Sequence, residues 1–301
     1  MEKVIRIGTR GSKLALWQAH FTQEQLQSIG IASELVIIKT RGDQIQHLGF
    51  DKMEGKGFFT KEIEDALLRG EVAVAVHSMK DLPTSSPEGL VTTAVSYRED
   101  PADWMLIRKD KVDSSKDLKL PAQAIVGTSS ARRKAQVRAF RPDVELKDIR
   151  GNVPTRVRKL AEGEFDAILL AAAGLSRLEL DLSPFEVIRF SPKEFIPAPA
   201  QGVLAWQCNE HDLSTRRIFK QLHQAEVALA TNVERTVLKL LEGGCQMPLG
   251  VYCKRDQVGN YHVWAALANG WDQPLKKARI SSSTHFELAQ QVVQQLKGTI
   301  K

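Results

Sequence analysis

The chain has 301 residues, 43% of them apolar and 26% charged, with a formal net charge of +6 and a pI near 9.2. That length accommodates two domains, or three small ones, each with a core of its own. Membrane-spanning, disulfide-stapled and nucleic-acid-binding classes are disfavoured: no apolar run approaches a membrane span, there are three cysteines, and there is no polybasic block or aromatic-rich platform.

Strand and helix signals alternate through the first two-thirds. VIRIGT (Val4 to Thr9) reads as a strand, and Ser12 as the N-cap of a helix through LALWQAHFTQEQLQ. ELVIIKT (Glu34 to Thr40) is a second strand, followed by the helix FTKEIEDALLRG ending at Gly70. VAVAVH (Val72 to His77) has the continuous apolar character of a strand buried on both faces. The pattern restarts with AIVGT (Ala124 to Thr128), the helix SSARRKAQVRAF, the strand VELKDI, a helix from Asn152 to Glu162 and the strand DAILLA (Asp166 to Ala171). Repeated βα units of this kind predict α/β domains with largely parallel sheets. Breaks at SYREDPAD (Ser96 to Asp103) and SPKEFIPAP (Ser191 to Pro199) read as crossings between domains. Past Thr231 the order becomes helix, two hairpin-like strands (GVYCK and YHVWAAL) and a terminal helix, THFELAQQVVQQLKG, which predicts a smaller α+β unit.

Ligands of open α/β sheets bind outside the carboxyl ends of the strands. Arg10, Arg132, Arg133, Arg150, Arg156 and Arg177 all fall in or just after such loops. Thr128, Ser129 and Ser130, with Arg150-Gly151-Asn152, add N-caps and free amide donors. An exposed helix often carries arginine in its first turn without any ligand, but six in equivalent positions point to a carboxylate site. Asp81 lies just past the strand VAVAVH, beside Lys80. Such a carboxylate either caps the following turn or serves as a catalytic acid or counter-charge for a developing cation. GDQIQHLGFDKMEGKG (Gly42 to Gly57), with Lys52 and Lys56, is either a lid or a plain surface loop.

Cys245 follows Gly243-Gly244 in LEGGCQMPLG, directly after a helical pattern (VERTVLKLL). By itself a lone cysteine is more often a small buried apolar residue. The two glycines free the backbone for positive φ and predict a tight turn that exposes the thiol. Seven residues separate Cys245 from Cys253, and neither has a partner at zinc-ligand spacing, so no metal is expected. Three cysteines and an N-terminus too short for a signal-peptide core predict a reducing, cytoplasmic setting. A solute receptor for anions is the competing class, but it needs neither a tethering thiol nor a carboxylate among arginines. A DNA-binding regulator would need a helix-turn-helix segment, and no such segment precedes the first strand.

The motifs TRGSKLALWQA, GKGFFTKEIEDALL, VAVHSMKDLP, GTSSARRKAQV, IRGNVPTRVRKL, AAAGLSRL, PAPAQG and ERTVLKLLEGGCQMPLG together resemble the porphobilinogen deaminase (hydroxymethylbilane synthase) family, in its order and over nearly the whole chain. The resemblance implies two βα domains of the type II periplasmic-binding-protein kind plus a smaller C-terminal α+β domain. Its boundaries would be 1–98 with 198–217, then 103–193, then 222–301. It implies head-to-tail condensation of four porphobilinogen molecules with release of ammonia, then hydrolysis to hydroxymethylbilane in tetrapyrrole synthesis. The primer would be a dipyrromethane cofactor joined by a thioether to Cys245, in a cytoplasmic monomer with no nucleic-acid or membrane partner.

By resemblance Asp81 is the catalytic aspartate, stabilising the cationic azafulvene left by loss of ammonia. Lys80, Asp81, Thr128, Ser129, Ser130, Arg132, Arg133, Arg150 and Gly151 would contact the cofactor. Arg10, Ser12, Arg150, Arg156 and Arg177 would bind substrate acids, and Lys52 and Lys56 would belong to the lid. Met247, Ala131 and Pro154 depart from the family's usual residues, and none of the three removes a charged or nucleophilic group.

Overall fold

The computed structural model describes residues 4–40, 60–244 and 247–298. In chain order its strands are β1 (Ile5–Thr9), β2 (Ser33–Ile37), β3 (Val74–Ser78), β4 (Leu90–Arg98), β5 (Asp103–Arg108), β6 (Ile125–Gly127), β7 (Glu145–Lys147), β8 (Ala167–Ala171), β9 (Phe185–Arg189), β10 (Val203–Asn209), β11 (Leu249–Arg255), β12 (Tyr261–Leu267) and β13 (Lys276–Ser282). The helices are α1 (Lys13–Ser28), α2 (Lys61–Leu68), α3 (Ala131–Phe140), α4 (Val153–Ala161), α5 (Ala172–Leu178), α6 (Leu213–Leu222), α7 (Ala225–Leu240) and α8 (Leu288–Lys297). The chain divides into two compact units: Met1–Glu99 with Val203–Ala228, and Asp100–Gly202 with Leu229–Lys301.

The first unit holds a five-stranded sheet of order β2-β1-β3-β10-β4. β1 runs parallel to β2 and β3, while β10 runs antiparallel to both β3 and β4. The predicted parallel sheet is therefore mixed, because the returning chain supplies β10 against the direction of the others. The loops that leave β1 and β3 emerge at the edge where β10 enters. Four of the five residues of β3 are buried, as its apolar run predicts. Ile5, Ile7, Val74, Val76 and Leu204 pack with Ala19 and Leu26 of α1 and Phe219 of α6. Trp206 lies in this core and donates its indole N–H to Thr22 Oγ1 at 2.9 Å, which spares the core an unpaired polar group.

The second unit repeats the plan with a sheet of order β7-β6-β8-β5-β9. Here β6 is parallel to β7 and β8, and β5 is antiparallel to β8 and β9. In this sheet the odd strand is supplied by the chain as it arrives. The start of β5, Asp103, is paired with Ala171 at the end of β8, so it lies at the carboxyl edge of the parallel strands.

The same unit contains a three-stranded antiparallel sheet, β11-β12-β13, with α7 and α8 sharing its core. The sequence predicts two strands here, and β13 is the third. Its KKARISS pattern hides an edge strand: Ala278 alone is fully buried, and charged residues flank it. Glu234 of α7, fully buried, joins this sheet to the preceding segment. Its two oxygens accept from Cys253 N at 2.7 Å and Ala200 N at 2.6 Å. Among the described residues no helix is long and apolar enough to cross a membrane.

Candidate active and ligand-binding sites

In the first unit the edge after β1 and β3 carries Arg10, Ser12, Lys80 and Asp81. Ser12 Oγ accepts from Ala15 N at 3.3 Å and caps α1, as its position predicts. Met79–Asp81 form a single 3-10 turn, closed by Leu82 N donating to Met79 O at 3.3 Å. Met79 is buried and pins the turn, while Asp81 is exposed and Lys80 half-buried. The base of the turn is held by Gln18 Nε2, which donates to Ser78 Oγ at 2.9 Å. The carboxylate thus stands out from a fixed strand end.

Just before that turn, burial lowers His77 from 6.5 to about 4; the hydrogen bond to Gln207 opposes this and the nearby charge of Arg10 reinforces it. The imidazole is neutral at physiological pH.

In the second unit the expected cations do gather at the carboxyl edge, but a carboxylate already sits among them. Asp103, fully buried, accepts from Arg132 Nη1 at 2.5 Å, from Arg133 Nη2 at 2.7 Å and Nε at 3.2 Å, and from Gln201 Nε2 at 2.9 Å. Burial opposes its ionisation and is the largest single influence. The charges and hydrogen bonds of the two arginines together outweigh it and hold the carboxyl well below the usual range. Sequence reading assigns both arginines to a ligand and places Asp103 in a domain crossing. The sequence carried no signal for it beyond an acid at the start of an apolar run, since the direction of β5 in its sheet is set only by pairing.

The two guanidinium groups are used differently. Arg133 spends its Nε–Nη2 fork on Asp103 and gives Nη1 to Leu169 O at 3.0 Å. Arg132 engages only Nη1, toward Asp103 and Ile196 O, and among the described residues nothing accepts from its Nε or Nη2. That open edge has the geometry for a bidentate carboxylate.

Arg156 lies in the first turns of α4, with Asn152 Oδ1 capping the helix through Thr155 N at 3.0 Å. Its Nε donates to Gly151 O at 2.7 Å. Gly151 has φ +105, and a Cβ there would come within 2.6 Å of Thr155, so glycine is required for the close turn. Burial, with the charges of Arg133 and Arg150, brings Arg156 down to about 10. It remains protonated, with burial the larger cause of the shift and the two neighbouring guanidinium charges adding to it. Arg177, buried on α5, donates Nη2 to Gly202 O at 2.8 Å.

The hydroxyls expected as ligand contacts carry structural bonds. Ser129 Oγ donates to Ile149 O at 2.8 Å and accepts from Ile149 N at 3.1 Å, which staples the loop after β6 to that after β7. Thr128 Oγ1 accepts from Ser130 N at 3.3 Å. Ser130 is the residue before α3, and its side chain makes no capping bond.

Cys245, Lys52 and Lys56 lie outside the described residues. The turn before Cys245 differs from expectation in one respect. The left-handed residue is Glu242 (φ +53), not a glycine. Gly243 is required for space, since a Cβ would fall 2.7 Å from both Leu238 Cδ1 and Met247 Sδ.

A mixed α/β scaffold with buried, surplus guanidinium groups at a strand edge defines an anion-binding protein of the α/β class. Residues 5–217 match the family model "Porphobilinogen deaminase, dipyromethane cofactor binding domain", and residues 228–296 match "Porphobilinogen deaminase, C-terminal domain". The chain is 43% identical over 292 residues to the porphobilinogen deaminase of Sulfurimonas denitrificans, covering 95% of this chain and 91% of that one. It is 48% identical over 254 residues to that of Trichlorobacter lovleyi, covering 83% and 78%. Among solved structures, a periplasmic substrate-binding protein from Coxiella burnetii aligns with 75% of this chain and 95% of its own, at 12% identity and a TM-score of 0.44. The chain belongs to the porphobilinogen deaminase family. It is a porphobilinogen deaminase of tetrapyrrole biosynthesis with a dipyrromethane cofactor-binding domain.

Two outcomes follow from these buried groups. Asp103→Asn leaves two buried guanidinium charges without their counter-ion and is expected to cost about 3–5 kcal/mol in urea unfolding. A loss below about 1 kcal/mol would mean that the cluster is solvated like a surface pair. His77 has a folded pKa below its unfolded one, so the unfolded chain binds more protons between the two values. Its contribution is therefore complete above about pH 6.5 and is lost as pH falls towards about 4. That amounts to roughly 3 kcal/mol. The non-titrating His77→Gln variant should show a correspondingly flatter stability profile, and a superimposable one would show that the ring is not held neutral.

Proposed function

We propose that Cys245 carries the dipyrromethane through a thioether and that Asp81 is the catalytic carboxylate. In this reading the chain joins four porphobilinogen molecules head to tail, releases ammonia at each addition, and frees hydroxymethylbilane by hydrolysis. The observation that carries it is the cluster of cations in the second unit: Arg132 and Arg133 share the carboxylate of Asp103, and the charges of Arg133 and Arg150 act on the buried Arg156. A pyrrole bearing acetate and propionate side chains supplies the missing negative charge, so the residues fit the group.

Arg132 offers its open Nε–Nη2 edge to one carboxylate, and Arg150 and Arg156 offer positive charge beside it. Arg177 and Arg10 bind further acid side chains, supported by Ser12, Lys80, Thr128, Ser129, Ser130 and Gly151. The bound cofactor supplies the pyrrole carbon on which the product chain is started. Loss of ammonia from the substrate's aminomethyl arm leaves a cationic methylene, and the Asp81 carboxylate offsets that charge. Its exposed place on a pinned turn supports this role. Lys52 and Lys56 belong to the lid of this reading.

The reading keeps three domains, 1–98 with 198–217, 103–193 and 222–301. The core around β11, β12, α7 and α8 is a cluster separate from those around β5, β6 and β8, which supports the division. It also describes a cytoplasmic monomer. Cys208 and Cys253 are buried free thiols, as a reducing compartment allows.

Intact mass tests the tether. The purified protein should exceed its sequence mass by two porphobilinogen-derived pyrrole units, and Cys245→Ala should show no excess. An unmodified wild-type mass without porphobilinogen consumption would sink the assignment. Asp81→Ala is expected to keep the fold and the cofactor mass while kcat falls by about two to four orders of magnitude. Near-normal turnover would remove Asp81 from its role.

A further inference from the structure

β10 and β3 pair with Ala205 opposite His77 and Gln207 opposite Ala75. His77 and Gln207 are thereby diagonal neighbours on one face of the sheet, within reach of each other. His77 Nε2 lies 3.1 Å from Gln207 Oε1, and Gln207 Nε2 donates to Glu64 Oε1 at 3.2 Å. Thr60 Oγ1 in turn donates to Glu64 Oε2 at 3.3 Å. Exposures of 7%, 1%, 7% and 4% for His77, Gln207, Glu64 and Thr60 place the whole line out of solvent.

Its polarity is fixed by chemistry. A glutamate oxygen accepts, so the amide face of Gln207 must point toward Glu64 and its carbonyl toward the ring. The ring therefore donates from Nε2–H, and Nδ1 is the unprotonated nitrogen.

We infer that Thr60, Glu64, Gln207 and His77 form a hydrogen-bonded strut that sets the position of the turn bearing Asp81, with His77 as a positioning residue in its neutral Nε2–H form. The strut begins at Thr60, the residue before α2, and Glu64 in the helix's first turn, crosses β10 through Gln207 and ends at the penultimate residue of β3. Gln18 grips the next residue, Ser78, from α1. The strand end that carries Lys80 and Asp81 is thus held from two helices. The charges around the ring are consistent with a neutral imidazole. Arg10, acting on it from the loop after β1, would repel a protonated ring, and the carboxylate of Glu64 on α2 is separated from the ring by the amide of Gln207. The inference rests on Asp81 as the catalytic carboxylate, because misplacing that group by a fraction of its reach is what would slow turnover.

The test uses the cofactor-loaded enzyme, with intact mass read first so that failure of the cofactor assignment is seen separately. His77→Leu and Gln207→Leu, folded and loaded, are expected to lower kcat by about tenfold to a hundredfold with KM for porphobilinogen unchanged. His77→Gln, whose carboxamide nitrogen can donate from the position of Nε2, should recover most of that loss. NMR of wild-type protein with isotope-labelled histidine should show His77 with a bare Nδ1 and no titration through the ordinary histidine range. That measurement decides the matter even if the leucine variants fail to fold. Wild-type kcat in loaded leucine variants, or a ring protonated at Nδ1, would overturn the inference.

Discussion

Asp103 is the constraint on which the second unit's site depends. Two guanidinium groups at the start of one helix would repel each other and could not both be buried without a shared anion. One carboxylate receives both, together with the amide of Gln201, and so fixes where each fork points. The acid reaches them because β5 runs against its neighbours, which brings its first residue to the carboxyl edge where the loop into α3 begins. Chain direction, rather than proximity in sequence, makes the pairing possible.

The consequence is an unequal pair. Arg133 is closed by Asp103 and Leu169, so its charge is mostly spent within the protein. Arg132 keeps an edge for a ligand, and Arg156, crowded by Arg133 and Arg150, adds positive charge that no described side chain neutralises. In the proposed reading such a site is preorganised: its positive potential, assembled at the expense of fold stability, is what an anionic ligand would relieve. The first unit is built on the opposite principle. Around its strand end the buried polar side chains pair with one another, and Asp81 stands out from a pinned turn.

Much of this was legible in the chain. Apolar runs with period-two or continuous character locate β1, β3, β6 and β8, and N-cap residues such as Ser12 and Asn152 locate the helices after them. What escaped were elements whose residues look wrong for their place. β13 carries two lysines and an arginine among few apolar residues because it is an edge strand. β5 and β10 were hidden because they follow proline-rich crossings and run antiparallel, and a local pattern carries no direction. The hydroxyl of Ser129 was legible as a loop polar group, but not as a staple between loops, since the second loop lies twenty residues away.

The sequence by itself determined the chemistry available to this protein: a thiol after two glycines, an aspartate after a buried strand, and arginines in the loops where an α/β sheet places ligands. Those properties depend on residue type and local spacing, which a linear chain displays in full. Only the tertiary structure decided how the charges are shared, because that depends on strand direction and burial. It placed Asp103 between Arg132 and Arg133, and it buried His77 beside Arg10 so that the ring is neutral, with the carbonyl of Gln207 turned toward it. A carboxylate about thirty residues from its partners, or an amide one hundred and thirty residues from its histidine, becomes a neighbour only when sheets pair; a buried charge then has to be matched where it lies, because no water is there to do it.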